Sequence, residues 1–249
     1  LYFVEICVGS FVAPGTFKSQ KMKVKLISLT QSLVEGVLTA EELLVYIARV
    51  SNPSNQLNTE TSDKLIGYMI KNKHWSPFDM INMTVEVTTS KAVSIQILRH
   101  WSIKPQEFSQ RYAEVVDIEP IELRKQGATN RQVGDEIFNP EIYNGGEMQE
   151  ASYAIETYIS KGVSLYKELL ENGVAKECAR MVLPMATSTT LYLNGSVRSW
   201  ITYLNQRLSP HAQKEHRQVA ERLAEIFKEN FPSTTKALKY FNDFGGDFM

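Results

Sequence analysis

The densest run of residues able to do chemistry is Gln96-Ile97-Leu98-Arg99-His100-Trp101, continued by Glu107-Phe108-Ser109-Gln110-Arg111-Tyr112. If residues 92–100 are helical, Gln96, Arg99 and His100 fall at i, i+3 and i+4 and share a face. Glu107, Ser109 and Arg111 then offer a carboxylate, a hydroxyl and a guanidinium close together in a loop. A serine hydroxyl, backbone N–H groups and an arginine fork can hold a phosphate. The same residue types also make an ordinary solvated turn, and the residues alone leave both readings open. Two further stretches carry arginines: Cys178-Ala179-Arg180-Met181-Val182-Leu183-Pro184, and Ser196-Val197-Arg198-Ser199-Trp200 running on to Leu204-Asn205-Gln206-Arg207. An arginine among apolar neighbours calls for an anionic partner, because burying it unpaired is costly. A ligand phosphate and a structural carboxylate both meet that need.

Other chemistries lack their marks. The four histidines, His74, His100, His211 and His216, form no H-E-x-x-H and no i, i+4 pair, so no metal site is expected. His211 and His216 would diverge on a helix. The sequence has no G-x-G-x-x-G, no G-x-x-x-x-G-K-[ST] and no G-x-S-x-G. Cys7 and Cys178 are too few for a disulfide framework and read as reduced, buried thiols of a cytosolic protein. Twenty-seven Lys+Arg against 28 Asp+Glu give a net charge of −1, which argues against a nucleic-acid partner or an RNA-contacting role. Small anions stay open, since a few local arginines suffice for them. No uncharged apolar run reaches the roughly 18 residues of a membrane span.

These residues must be positioned by a fold, and 249 residues can bury a sizeable core. Residues 1–21 show no basic start followed by an apolar core, so a secretory signal is not expected. They read as a vector-derived or disordered extension, with Met22 opening a more protein-like segment and 22–249 forming a single domain. Residues 23–29 alternate polar and apolar and predict a strand. Thr39-Ala40-Glu41-Glu42 has capping-box spacing ahead of Leu43, Leu44, Ile47 and Ala48, and Asn52-Pro53-Ser54-Asn55 breaks the chain. Residues 61–72 predict a second helix and 81–89 a half-buried strand. Residues 92–100 are ambiguous between strand and helix, and 117–147 are polar and loop-rich. A long helix is predicted over 150–172, closed by Gly173, then a shorter helical piece over 175–183 ending at Pro184. Ser209 as N-cap with Pro210 at N1 predicts a last helix burying Val219, Leu223, Ile226 and Phe227. Helices with a modest sheet near the N-terminal third make the class α+β.

Taken together, these stretches resemble the flavin-dependent thymidylate synthases. That family's hallmark is Arg-His-Arg, seven residues, then Ser. Here Arg99-His100-Trp101 is followed by residues 102–108 and Ser109, inside a match to E-x-S-x-R-Y (Glu107, Ser109, Arg111, Tyr112). Upstream, His74-Trp75-Ser76-Pro77-Phe78-Asp79 is similar to the family's H-x-[ST]-P-F-E segment. Downstream, Ala179-Arg180 with Leu183-Pro184, Arg198-Ser199, Leu204 with Arg207, and His211-Ala212-Gln213 with Glu215 follow in the family's order. The likeness spans residues 22–232. It implies a single domain with a central, mostly antiparallel sheet flanked by helices, assembled as a cytoplasmic homotetramer with active sites between subunits. It implies methylation of dUMP to dTMP, with methylenetetrahydrofolate as carbon donor and FAD reduced by NADPH, the cofactors carrying the hard chemistry.

Carried over position by position, His74, Ser76, Arg99, His100, Trp101, Glu107, Ser196, Val197, Arg198 and Thr202 resemble FAD contacts. Gln96, Arg99, Glu107, Phe108, Ser109, Gln110, Arg111, Arg180 and Arg207 resemble the dUMP site. Arg207 takes the catalytic role at the pyrimidine edge, where a guanidinium favours negative charge at N3 and activates C5. Ser109 reads as a phosphate ligand rather than a covalent nucleophile, since no histidine base stands beside it in sequence. Trp101 replaces the motif's second arginine and offers a ring that can stack on a flavin or pterin. Thr202 and Ser196 stand where longer polar residues are common in the family. These departures motivate one alternative, a non-catalytic nucleotide-binding module that keeps the dUMP phosphate site.

Overall fold

The computed structural model describes residues 18–114, 117–128, 134 and 136–241. Within them the chain forms two compact units, one built mainly from Lys21–Phe108 and the chain from Thr189 onward, the other from Ser109–Lys125 and Gly134–Ser188.

The first unit is a four-stranded sheet overlaid with helices. Its strands are β1 (Lys23–Leu29), β2 (Asn82–Ser90), β3 (Lys104–Glu107) and β6 (Ser188–Ser196), in the order β1-β2-β6-β3. β1 pairs antiparallel with β2, and β3 antiparallel with β6. Between β2 and β6, side chains meet as Thr88 with Thr190, Glu86 with Tyr192 and Thr84 with Asn194, so residue numbers fall along one strand as they rise along the other. This pair is antiparallel too, and the sheet agrees with the α+β expectation. Its third and fourth strands come from outside the N-terminal third.

Helix α1 (Ala40–Ala48) opens on the capping box foreseen at Thr39, whose hydroxyl accepts from the Glu42 N–H while the Glu42 carboxylate accepts from the Thr39 N–H. α2 (Ser62–Lys71) follows, and β2 passes directly into α3 (Lys91–Ile97), which settles the ambiguous 92–100 stretch as helix up to Ile97. β6 likewise passes into α6 (Val197–Arg207). The last two helices are α7 (Lys214–Asn230) and α8 (Pro232–Phe241). α7 starts at Lys214, not at Pro210. Gln213 is extended (φ −55, ψ 135), and Ser209 closes only a single turn through its carbonyl to the Ala212 N–H. The core between sheet and helices is apolar and continuous, with Ile66, Phe78, Met83, Leu191, Trp200, Leu223 and Phe227 all fully buried.

The second unit holds a short hairpin, β4 (Glu141–Asn144) with β5 (Glu147–Glu150), and the long helix α4 (Ala151–Glu171). Gly173 ends α4 in the left-handed region (φ 83), with its N–H on Leu170 O and the Val174 N–H on Leu169 O. α5 (Lys176–Ala179) and a 3-10 turn over Arg180–Val182 complete it, around a small cluster of Ile118, Ile159 and Val163. Cys178 is exposed, against the expected buried thiol, since the position α5 buries is that of its neighbour Ala179; Cys7 and residues 1–17 lie outside the described residues. Ser19 bridges to Ile118. Among the described residues no helix is long and apolar enough to cross a membrane.

Candidate active site

The sheet joins two strand-to-helix junctions. α3 leaves the end of β2 and α6 the end of β6, so residues just beyond α3 can meet the last turn of α6. There Arg207 donates its Nε–H to His100 Nε2 over 2.8 Å, bridging 107 positions of sequence. His100 is buried, and its ring packs edge-on against Tyr203 with centroids 4.8 Å apart. Burial, and next the Arg207 charge, push its pKa down from 6.5 to about 4. The ring is therefore neutral near pH 7, with Nε2 as acceptor and the proton on Nδ1.

A second buried histidine lies alongside. His216 on α7 places Nε2 3.0 Å from the Tyr203 hydroxyl and Nδ1 3.2 Å from Gln96 Oε1. Gln96 donates from Nε2 to Gln213 Oε1 at 2.6 Å, and Gln213 donates from Nε2 to Glu215 Oε2 at 2.8 Å. Because the amide nitrogen of Gln96 faces Gln213, its oxygen must accept, so His216 carries its proton on Nδ1. Nε2 is then free to accept from Tyr203. The bonds thus run one way, from phenol through imidazole and two amides to a carboxylate. Burial, then Arg207 and His100, push the His216 pKa down to about 3, while burial raises that of Tyr203. Both groups stay neutral, as the chain requires.

Glu107, at the end of β3, is held on one side. Its Oε1 accepts from Lys91 Nζ at 2.7 Å, Ser94 Oγ at 2.9 Å and Thr189 Oγ1 at 3.1 Å. Oε2 accepts no hydrogen bond among the described residues. Phe108 follows, its N–H on Thr190 O.

The remaining residues with FAD-like positions fall into two groups. Arg99 and Trp101 flank His100 and are open to solvent; Trp101 is 88% exposed, and Arg99 has no partner among the described residues. Ser196, by contrast, caps α6 and donates to Asp79 Oδ1 at 2.9 Å, and Arg198 meets Asp79 Oδ2 at 3.0 Å. The Val197 N–H is bonded to Ile81 O, and Thr202 bonds back to Arg198 O at 3.1 Å. His74 follows Lys73, which has a positive φ of 57, and stands edge-on to Tyr68; Ser76 opens a short 3-10 turn over Ser76–Asp79 and is exposed. A bare indole and an unpaired guanidinium suit a ring system and a pyrophosphate, so these residues fit a flavin nucleotide. Ser196 and Arg198 would share their bonds with Asp79.

Ser109, Gln110, Arg111 and Arg180 belong to the second unit. Ser109 Oγ faces the Arg111 N–H at 3.4 Å, and its carbonyl accepts from the Tyr112 and Ala113 N–H groups, a tight turn. Arg111 pairs with Glu177 at 3.2 Å, and Arg180 Nε donates to the Glu177 carbonyl at 3.4 Å. Both arginines thus meet Glu177, Arg111 at its carboxylate and Arg180 only at its backbone carbonyl, so the structural carboxylate that sequence allowed for Arg180 is not supplied by Glu177. Gln110 is half-buried beside them.

His216, Tyr203, Lys91, Ser94 and Thr189 escaped the sequence reading. A signal existed for His216: it shares the α7 face with Val219, Ala220, Leu223 and Phe227, which places a polar ring in the core.

Comparison with known proteins bears on this geometry. The family model for thymidylate synthase complementing protein matches residues 32–233. A protein of Paramecium bursaria Chlorella virus 1, named "Probable flavin-dependent thymidylate synthase", is 46% identical over 88% of this chain and its own full length. A flavin-dependent thymidylate synthase of Synechocystis is 42% identical over 88% of this chain, again along its whole length. Among solved structures, a UMP/dUMP methylase, PolB of Streptomyces cacaoi with 5-Br dUMP bound, superposes with a TM-score of 0.72 at 25% identity, covering 90% of this chain and 96% of its own.

Proposed function

Since the chain belongs to the family of flavin-dependent thymidylate synthases, we infer that it converts dUMP to dTMP by reductive methylation, with methylenetetrahydrofolate as carbon donor. FAD, when bound, supplies the reducing equivalents to that carbon, and NADPH restores them. The observation that carries the reading is the convergence of Gln96, His100 and Arg207 in one half-buried cluster across more than a hundred positions of sequence.

The chain's own residues divide the work. Arg207 has spent Nε–H on His100, and its terminal amino groups have no partner among the described residues. Set against the pyrimidine edge, they favour negative charge at N3 and the adjacent carbonyl, which makes C5 a carbon nucleophile. Gln96 keeps one N–H and one lone pair for the base. Glu107 keeps Oε2 for the ligand while Oε1 is held by Lys91, Ser94 and Thr189, and Phe108 follows it. Ser109, Gln110, Arg111 and Arg180 take the phosphate, with Glu177 yielding Arg111 as the anion arrives. Arg99 and Trp101, together with His74, Ser76, Ser196, Val197, Arg198 and Thr202, would hold the flavin nucleotide. In this reading residues 22–249 act as one catalytic domain in a cytoplasmic homotetramer whose sites form between subunits.

The purified enzyme is expected to be yellow, to release its flavin on denaturation and to liberate tritium from 5-labelled dUMP once reduced. Arg207→Ala should lower turnover about a hundredfold while dUMP binding is partly kept. A colourless protein without dUMP-dependent turnover in added FAD would refute the reading. Tight dUMP binding without flavin reduction by NADPH would point instead to a nucleotide-binding module.

A further inference from the structure

The partner of Arg207 is an uncharged ring, and this choice has chemical content. A carboxylate in its place would orient the guanidinium equally well but would cancel its charge and blunt its pull on a developing anion. A neutral imidazole acceptor orients without cancelling. It also occupies the guanidinium edge that contains Nε, which leaves the end formed by the two terminal amino groups. That end carries two parallel N–H donors, the match for a deprotonated ring nitrogen beside a carbonyl oxygen. We propose that His100 is a positioning residue for the reaction, its Nε2 fixing Arg207 so that the terminal amino groups face the pyrimidine.

The surroundings make His100 a stiff anchor. Its N–H is bonded to Ile97 O at 3.0 Å and its carbonyl to the Ile103 N–H at 3.1 Å, so the backbone is held on both sides. Tyr203 packs edge-on against the ring, and that phenol is itself tied to His216 at 3.0 Å. The low pKa of His100 keeps Nε2 unprotonated through the neutral range. This inference rests on the role given to Arg207 above. It departs from a simple flavin contact for His100.

The test compares His100→Phe, which lacks an acceptor, with His100→Gln, whose amide oxygen reaches toward the Nε2 position. Each is measured for kcat, dUMP KM, dUMP affinity by calorimetry and flavin content, in the parent and in the Arg207→Ala background. The expected result is a kcat about ten- to a hundredfold lower for His100→Phe. Its KM, flavin content and dUMP affinity should stay within about threefold of the parent, and His100→Gln should restore kcat to a similar margin. In the Arg207→Ala background, His100→Phe should cost nothing further, because both act through one interaction. The proposal is overturned if His100→Phe keeps its rate, if His100→Gln is equally damaged, if the loss follows lost flavin, or if the two losses multiply. Should Arg207→Ala itself keep its rate, the catalytic role of Arg207 fails, a result distinct from failure of its orientation by His100. If His100→Phe does not fold, His100→Asn replaces it, carrying the same amide one methylene too short to reach.

Discussion

Lowering the pH from 7.5 to 5.0 should destabilise the enzyme through its two buried imidazoles. In the unfolded chain both take up protons near pH 6.5, whereas in the fold His100 resists until about pH 4 and His216 until about pH 3. The unfolded state therefore binds more protons across this window, and stability falls as pH falls. The contribution is complete above pH 6.5 and is lost progressively toward the folded values. At pH 5.0 each site costs about 2 kcal/mol relative to neutral pH. Allowing for residual solvent screening at His100, which keeps 8% of its surface exposed, the two sites together contribute about 3 kcal/mol. For a chain of this length that lowers Tm by about 6–12 °C. Thermal unfolding followed by circular dichroism at the two pH values, at fixed ionic strength, measures the difference. The double variant His100→Gln/His216→Gln should unfold at nearly the same temperature at both. Equal wild-type midpoints, or an unchanged pH difference in the double variant, would refute the assignment of neutral buried rings.

Three further outcomes follow from the geometry. Gly195→Ala would bring a Cβ to 2.7 Å from Ile103 Cδ1 and 3.3 Å from Trp200 Nε1. It should cost about 1–3 kcal/mol in a denaturant titration, and a neutral effect would show that the α6 junction yields easily. Ser94→Ala removes one of the bonds on Glu107 Oε1 from a fully buried position. It should destabilise by about 1.5–3 kcal/mol and weaken dUMP binding by calorimetry; unaltered binding would place Glu107 outside the site. Glu177→Ala releases Arg111 from an exposed ion pair and should tighten dUMP binding by about two- to fivefold, whereas weaker binding would make Glu177 the residue that aims Arg111.

The sequence disclosed those parts of the fold that local chemistry controls. The Thr39 box, the Gly173 stop and the alternation along β1 and β2 all depend on near neighbours, and each is where it was expected. β3 was invisible because Lys104-Pro105-Gln106-Glu107 is a polar edge strand with a proline, and its identity comes only from pairing with β6. β6 does alternate, with Leu191, Leu193 and Gly195 buried against the more open Thr190, Tyr192 and Asn194, but two leucines among threonines, an asparagine and a glycine make a weak strand signal. In the candidate site, the Arg-His-Trp run and the glutamate-serine-arginine turn were legible by residue type. What sequence could not carry was partnership. It placed Arg198 beside Ser199 but not against Asp79, and it set His100 near Arg99 when its hydrogen bond goes to Arg207.

The ordered row from Tyr203 to Glu215 has a polarity, and that polarity is shared. No member can rotate its amide or shift its tautomer alone without setting donor against donor, so the row has a single sense anchored by the carboxylate at its far end. A substitution at either end therefore reads out in the middle, at Gln96: the side chain that would meet the base inherits its orientation from a glutamate on another helix. Evolution of base preference in such an enzyme need not touch the residues that meet the base at all.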